Sequence, residues 1–327
     1  LNIDKKKGLQ AFADAKKLAE SWLTDDILKA GTGETREEFV ERQVTTAPPL
    51  ENDNIFRLYC INSQNRGGAR NLLDDSNWTA LGKSVLGDYN YTYVSEKYPC
   101  TDTGFVSLCA DVLNAHKNGL EIIKGDTRNH IQALEDPLRN KTKAWVKILT
   151  TIQEGATLFS AIEKKHPGIA LKEALFGPVP EDTPVNRVTI ENIKLAVNAV
   201  RVKYVGDALA FNFLKDLGNR HFFKPDIHTC EVVGYAFTKA GHPIPDNQPF
   251  ETIEKILLFS HVTGIPLAEI DRIMWLSGSG IFQAPKVSGG PWIEHATLPK
   301  GTAGKEIRQK RKHEMAKLFR QAVTSFD

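Results

Sequence analysis

Long apolar runs are missing from this sequence. Nothing approaches the roughly eighteen uninterrupted apolar residues of a transmembrane helix, so no membrane span is expected. Cysteine is scarce: Cys60, Cys100, Cys109 and Cys230 are the whole complement, and no C-x-x-C occurs. That excludes a disulfide framework and the four-cysteine spacing of a zinc or iron–sulfur site. It makes a reducing, cytoplasmic compartment the default. His116, His130, His166 and His242 show no ligand spacing, so neither a metal nor a cofactor is expected. The stretch from Leu1 to Leu23 mixes Lys and Asp with apolar residues and lacks the apolar centre of a signal peptide. Sustained period-two alternation is almost absent too, apart from a possible short strand near Tyr89–Val94, and no internal repeat or low-complexity tract occurs.

What is present is a chain of 327 residues, 41% hydrophobic and 25% charged, enough for a sizeable core and too apolar for global disorder. A net charge of +2 says nothing about partners, but its distribution is uneven. Eight Lys/Arg lie between Lys300 and Arg320 against Glu306 and Glu314, and Arg139, Lys141, Lys143 and Lys147 cluster as well. Such segments suit a phosphate-binding face, and equally a solvated helix surface.

Apolar spacing of three to four residues predicts helices over 8–22, 54–64 and 103–115, and another marked by Trp145, Ile148, Leu149 and Ile152. Two short helices are expected around Pro167-Gly168, followed by a loop over 176–187. An amphipathic helix then carries Ile190, Ile193, Val197 and Val200 after a Thr189 cap, and a second helix ends at Gly218. Further helices are expected over 227–239, 249–262, 267–276 and 304–323, with loop over 277–303. The fold class expected is all-α.

The stretch Ile193–Val233 carries the chemistry. A turn with Val205-Gly206 between two helices can bring backbone amides against a DNA phosphate, with Arg201 and Lys203 adding charge. Twenty residues beyond Gly206, Asp226 follows Pro225 at the start of a helix. The positive end of the helix dipole keeps a carboxylate there ionised, fit to stabilise an oxocarbenium-like sugar cation or to activate water. The plain alternatives are a bundle turn and an ordinary N-cap.

The region 189–233 resembles the helix-hairpin-helix DNA glycosylase superfamily, with KYVGDALAFNFLKDLG as hairpin turn and second helix and KPDIH as carboxylate motif. The resemblance implies a two-lobed helical fold in which the target nucleotide is flipped from the duplex, or taken from a strand end, into the cleft between the lobes. It implies Asp226 as the catalytic carboxylate and Lys203, Tyr204, Val205, Gly206 and Asp207 as the DNA-phosphate clamp, with His228 as a neighbour of Asp226 or a phosphate contact. Ala208 stands where bifunctional members carry a nucleophilic Lys, so no lyase step is implied. Tyr204 replaces the first turn glycine. A second likeness lies at Tyr59–Leu72, where Ser63, Gln64 and Asn65 would wedge into the duplex and Arg66 and Arg70 would meet phosphates. Trp78, Tyr89, Tyr91 and Tyr93 are aromatics suited to stacking on an extruded base, or to core packing. The segment IDRIMWLSGSG (270–280) resembles a phage-associated branch, the α-glutamyl/putrescinyl-thymine pyrophosphorylase-like proteins, linked to hypermodified pyrimidines.

The expected layout is a single domain. Residues 1–176 hold the wedge-like turn, 188–303 the hairpin and catalytic Asp, and 304–327 a basic terminal helix. The expected activity is monofunctional DNA N-glycosylase, a monomer acting on double-stranded DNA with a bulky hydroxymethyl-derived pyrimidine, in anti-phage defence or phage DNA modification. The rivals are a transferase modifying such pyrimidines on the same scaffold and a non-catalytic DNA-binding module.

Overall fold

Side-chain caps set many of the helix starts. Asp4, Asn54, Asp74, Asn90, Thr101 and Asp226 each sit in extended backbone and accept a hydrogen bond from an amide in the following turn. Asp74 and Asn77 close a reciprocal capping box. Two helices end on left-handed glycines, Gly264 and Gly280, where most side chains would be strained. The structure, a computed structural model, describes residues 1–30, 33–45, 54–64, 72–123, 127–245, 247–285 and 292–326. Among them it is all-α, with sixteen α-helices and four short strands. No helix among the described residues is long and apolar enough to cross a membrane.

The chain forms two compact units, each assembled from separate stretches. One holds Leu1–Glu51, Pro178–Lys194 and Gly218–Asp327; the other holds Asn52–Gly177 and Leu195–Leu217. The first unit opens with β1 (Asn2–Ile3), α1 (Lys5–Glu20), α2 (Asp25–Ala30) and α3 (Arg36–Thr45). The second unit follows with α4 (Ile55–Asn62), α5 (Asp75–Ser84), α6 (Tyr91–Lys97), α7 (Asp102–Lys117), α8 (Thr127–Glu135), α9 (Ala144–Lys165) and α10 (Leu171–Phe176). After a 3-10 turn at Val185–Arg187, the division falls within α11 (Ile190–Ala199), and α12 (Asp207–Asp216) belongs to the second unit. The first unit is completed by α13 (Ile227–Phe237), α14 (Pro249–Thr263), α15 (Leu267–Ser279), β2 (Ile281–Pro285), β3 (Trp292–Ala296), α16 (Gly301–Arg320) and β4 (Val323–Ser325).

In the first unit, Phe237, Phe259 and Phe319 from α13, α14 and α16 pack with centroids 5.2–6.1 Å apart. Gly8 of α1 sits against this group, where a Cβ would come within 2.7 Å of Thr263. β2 and β3 form an antiparallel hairpin in register from Ile281 opposite Ala296 to Pro285 opposite Trp292, and β1 pairs with β4. In the second unit, Phe56, Tyr59, Tyr91, Phe159 and Phe213 make a continuous aromatic cluster, mostly edge-on or tilted. Tyr59 also donates its hydroxyl to the Val200 carbonyl at 3.0 Å.

Several elements differ from the periodicity reading. Leu158 and Ile162 lie in the 22-residue α9, not in a separate short helix. The possible strand near Tyr89–Val94 is instead a left-handed turn at Asp88-Tyr89 leading into α6. The expected loop 277–303 contains the end of α15, the β2–β3 hairpin and the start of α16.

Candidate functional site

In the first unit, the loop before α13 ends in Lys224-Pro225-Asp226, and Asp226 becomes the N-cap. Its Oδ1 accepts from the amides of His228 at 2.9 Å and Thr229 at 3.2 Å. Its Oδ2 makes no hydrogen bond among the described residues, and the side chain is half-buried. One oxygen is therefore fixed by the helix start while the other stays available.

The helix start is tied down further. Thr229 donates its hydroxyl to Asp271 Oδ1 at 2.6 Å, and both residues are buried. Asp271 belongs to the segment IDRIMWLSGSG, so the structure brings that motif, on α15, against the helix that Asp226 caps. Later on α15, Gly278 gives the room in which α13 and α16 meet. A Cβ there would fall 2.6 Å from His228 Cβ and Cγ and from Lys312 Cε.

Lys312 is only 3% exposed, and its Nζ donates to Glu231 Oε2 at 2.7 Å. A buried ammonium needs such a partner, since the unpaired charge would be strongly disfavoured. The His228 imidazole lies in the same group. Burial holds its pKa below the ordinary range, Lys312 and Arg308 push the same way, and Asp226 and Glu231 oppose them. Lys312, Glu231, Arg308, Asp271 and Gly278 were not singled out from the sequence as site residues. The basic cluster over 300–320 was a visible signal, but Lys312 and Glu231 are 81 residues apart and only packing unites them.

The hairpin turn belongs to the second unit. Tyr204 takes a left-handed φ of 67°, and Gly206 is the N-cap of α12 with φ −78°. A Cβ on Gly206 would meet nothing within 4 Å, so its backbone is approachable. Three basic side chains gather here. Lys147 and Lys203 lie 5.8 and 5.4 Å from the Tyr204 ring centroid, and Arg201 pairs with Asp207 at 2.9 Å. The turn is anchored to α9, with the Lys203 amide donating to Glu154 Oε2 at 2.7 Å and Thr151 donating to the Lys203 carbonyl at 3.2 Å. The Tyr204 hydroxyl donates to the Lys141 carbonyl at 3.1 Å, and Val205 is buried.

The other expected site residues fall elsewhere in the second unit. Ser63 is buried and donates to the Cys60 carbonyl at 2.5 Å. Gln64 is 9% exposed and brackets Leu73, donating to its carbonyl and accepting from its amide, both at 3.2 Å. In this arrangement neither side chain is presented as a wedge. Asn65, Arg66 and Arg70 lie outside the described residues. Trp78 and Tyr89 are buried, with the Tyr89 hydroxyl on the Trp78 carbonyl, and Tyr91 joins the aromatic cluster. Tyr93 is 39% exposed, with the Lys97 ammonium 5.4 Å from its ring centroid.

Compared with protein-family models, with curated proteins and with solved structures, the chain matches none of them.

Proposed function

We propose that the chain is a monofunctional DNA glycosylase that hydrolyses the N-glycosidic bond of a flipped, modified nucleotide and leaves an abasic site. The observation that carries the reading is Asp226: a carboxylate at the start of α13, one oxygen held by two amides, the other unbonded among the described residues. Such a group can stabilise positive charge developing at an anomeric carbon and orient the attacking water. The helix-hairpin-helix resemblance of 189–233 agrees with it. So does the turn at Tyr204–Gly206, with its left-handed residue, open glycine backbone and basic neighbours. Ala208 offers no amine for a Schiff base, so the reading ends at the abasic site without enzymatic strand cleavage.

The substrate proposed is double-stranded DNA bearing a bulky hydroxymethyl-derived pyrimidine, since removing an ordinary base would destroy the host genome. Anti-phage defence is the setting that fits, in the cytoplasm and as a monomer. The four cysteines are all free thiols, as a reducing compartment requires. The test incubates the protein with phage DNAs carrying plain, hydroxymethylated and glycosylated pyrimidines and probes for aldehydic sites and released base. Abasic sites on one DNA type, absent with Asp226→Asn, are expected. A transferred group on an intact nucleotide would move the reading to a transferase, and tight binding with no product would leave a DNA-binding module.

A further inference from the structure

Among the described residues, five buried side-chain nitrogens of the first unit have no hydrogen-bond partner, and two of them, Nε of Arg308 and Nδ1 of His228, belong to one group of packed side chains. They stand on α16 and α13, helices packed against one another; His228 and Lys312 both crowd the position of a Gly278 Cβ at 2.6 Å, and Arg308 lies one helical turn before Lys312. Two neighbouring groups are already engaged. Lys312 is paired with Glu231 at 2.7 Å, and Asp226 Oδ1 is held by the amides of His228 and Thr229. Arg308 makes no ion pair among the described residues and is half-buried, while Lys305, one turn earlier on α16, is exposed. A buried N–H without an acceptor is costly, so two such atoms on neighbouring side chains point to one absent partner.

The chemistry of that partner follows from the donors. His228 sits below the ordinary imidazole range because of its burial and the Lys312 and Arg308 charges, with Asp226 and Glu231 pulling the other way. The ring is therefore neutral near pH 7, and with its proton on Nδ1 it is a donor. A guanidinium N–H and an imidazole N–H sharing one acceptor suit an anionic oxygen, and an otherwise unpaired guanidinium suits phosphate above all.

We propose that Arg308 Nε–H and His228 Nδ1–H together hold a phosphate oxygen next to Asp226. The phosphate is a diester of the strand being processed or a free phosphate group. The proposal deepens the DNA reading and rests on it for the diester source alone.

The test uses the full chain labelled with ¹⁵N in its histidine rings, with the His228 resonance assigned through His228→Asn. A duplex 20-mer and inorganic phosphate are titrated separately, and duplex affinity is measured against salt for wild type, Arg308→Gln, Arg308→Lys and the exposed control Lys305→Gln. The expected result is a shift of His228 Nδ1 on adding duplex. Arg308→Gln should bind about tenfold more weakly, with a salt slope lower by about one. Arg308→Lys should restore the slope without the Nδ1 shift, which separates charge loss from misfolding. A shift with inorganic phosphate alone supports the site and assigns free phosphate as its ligand. No shift with either titrant, together with unchanged affinity in Arg308→Gln, overturns it. Weakened binding in Arg308→Gln while the wild type forms no abasic sites keeps this site and sinks the hydrolase reading. Abasic sites formed at full rate by Arg308→Gln with an unchanged slope do the reverse.

Discussion

Asp226 serves α13 twice over, as its cap and as a carboxylate whose charge acts on His228, and the two duties separate by substitution. Asn caps about as well as Asp, whereas Ala forfeits about 1 kcal/mol. Asp226→Asn should therefore melt near the wild type while losing activity, and Asp226→Ala should also lower the melting temperature, a difference differential scanning calorimetry reads. His221 and His228 set a pH dependence of their own. Burial, first among several causes, holds both rings below the ordinary imidazole range. Above the unfolded value of about 6.5 both states are neutral there, and the stability is fully present. As pH falls below about 6.5, the unfolded chain takes up protons that the folded one refuses, so stability declines. Urea unfolding from pH 7.5 down to 5 should show that decline, with a shallower slope in His228→Asn. At this scale the sequence was informative about Asp226, because Pro225-Asp226 before an apolar run is a helix start whatever surrounds it. It was silent about Arg308, since nothing in a basic run marks which side chain turns inward.

The elements around the site are joined by an ion pair whose lysine is buried and whose glutamate is partly exposed, so its two halves are unequal in isolation. Lys312→Met leaves the part-buried Glu231 without its cation and should cost up to about 3 kcal/mol. Lys312→Met with Glu231→Leu should recover most of that, since an apolar pair of similar volume needs no desolvated charge. Chemical denaturation of the two variants measures the difference. The turn before α12 makes the opposite kind of prediction. Gly206→Ala meets no neighbour within 4 Å and keeps an ordinary φ, so stability should change little. A methyl at the amide face should still weaken duplex binding severalfold in a fluorescence-anisotropy titration. The legibility of the elements follows their length and mode of burial. α1, α7 and α14 repeat their apolar residues over several turns and could be read from spacing, whereas α9 was read only over its first half. α2, α5 and α6 are short and polar, defined largely by caps or by the contacts of one or two residues, and were not seen. The β2–β3 hairpin hides in a Gly/Pro-rich stretch whose composition reads as loop.

At the scale of the whole molecule, the first unit depends on segments far apart in sequence, Leu1–Glu51 and Gly218–Asp327 among them. α16 lends it Met315 and Phe319 as well as Lys312, all buried, and packs on α1, α13 and α15. Ending the chain before Gly301 should therefore strip hydrogen-exchange protection from the amides of α1 and α13, measurable peptide by peptide by mass spectrometry. This assembly was not legible in the sequence, which reads as consecutive blocks, because periodicity reports which face of a helix is buried and not which helix covers it. The same arrangement has a topological consequence. β1 and β4 place Asn2 opposite Ser325, with Asn2 Nδ2 donating to the Ser325 hydroxyl at 3.0 Å, and partners across such a ladder lie about 5 Å apart. That short ladder closes a loop spanning 323 positions, so a covalent cross-link in place of the Asn2–Ser325 pair would leave the unfolded chain fewer shapes to lose on folding.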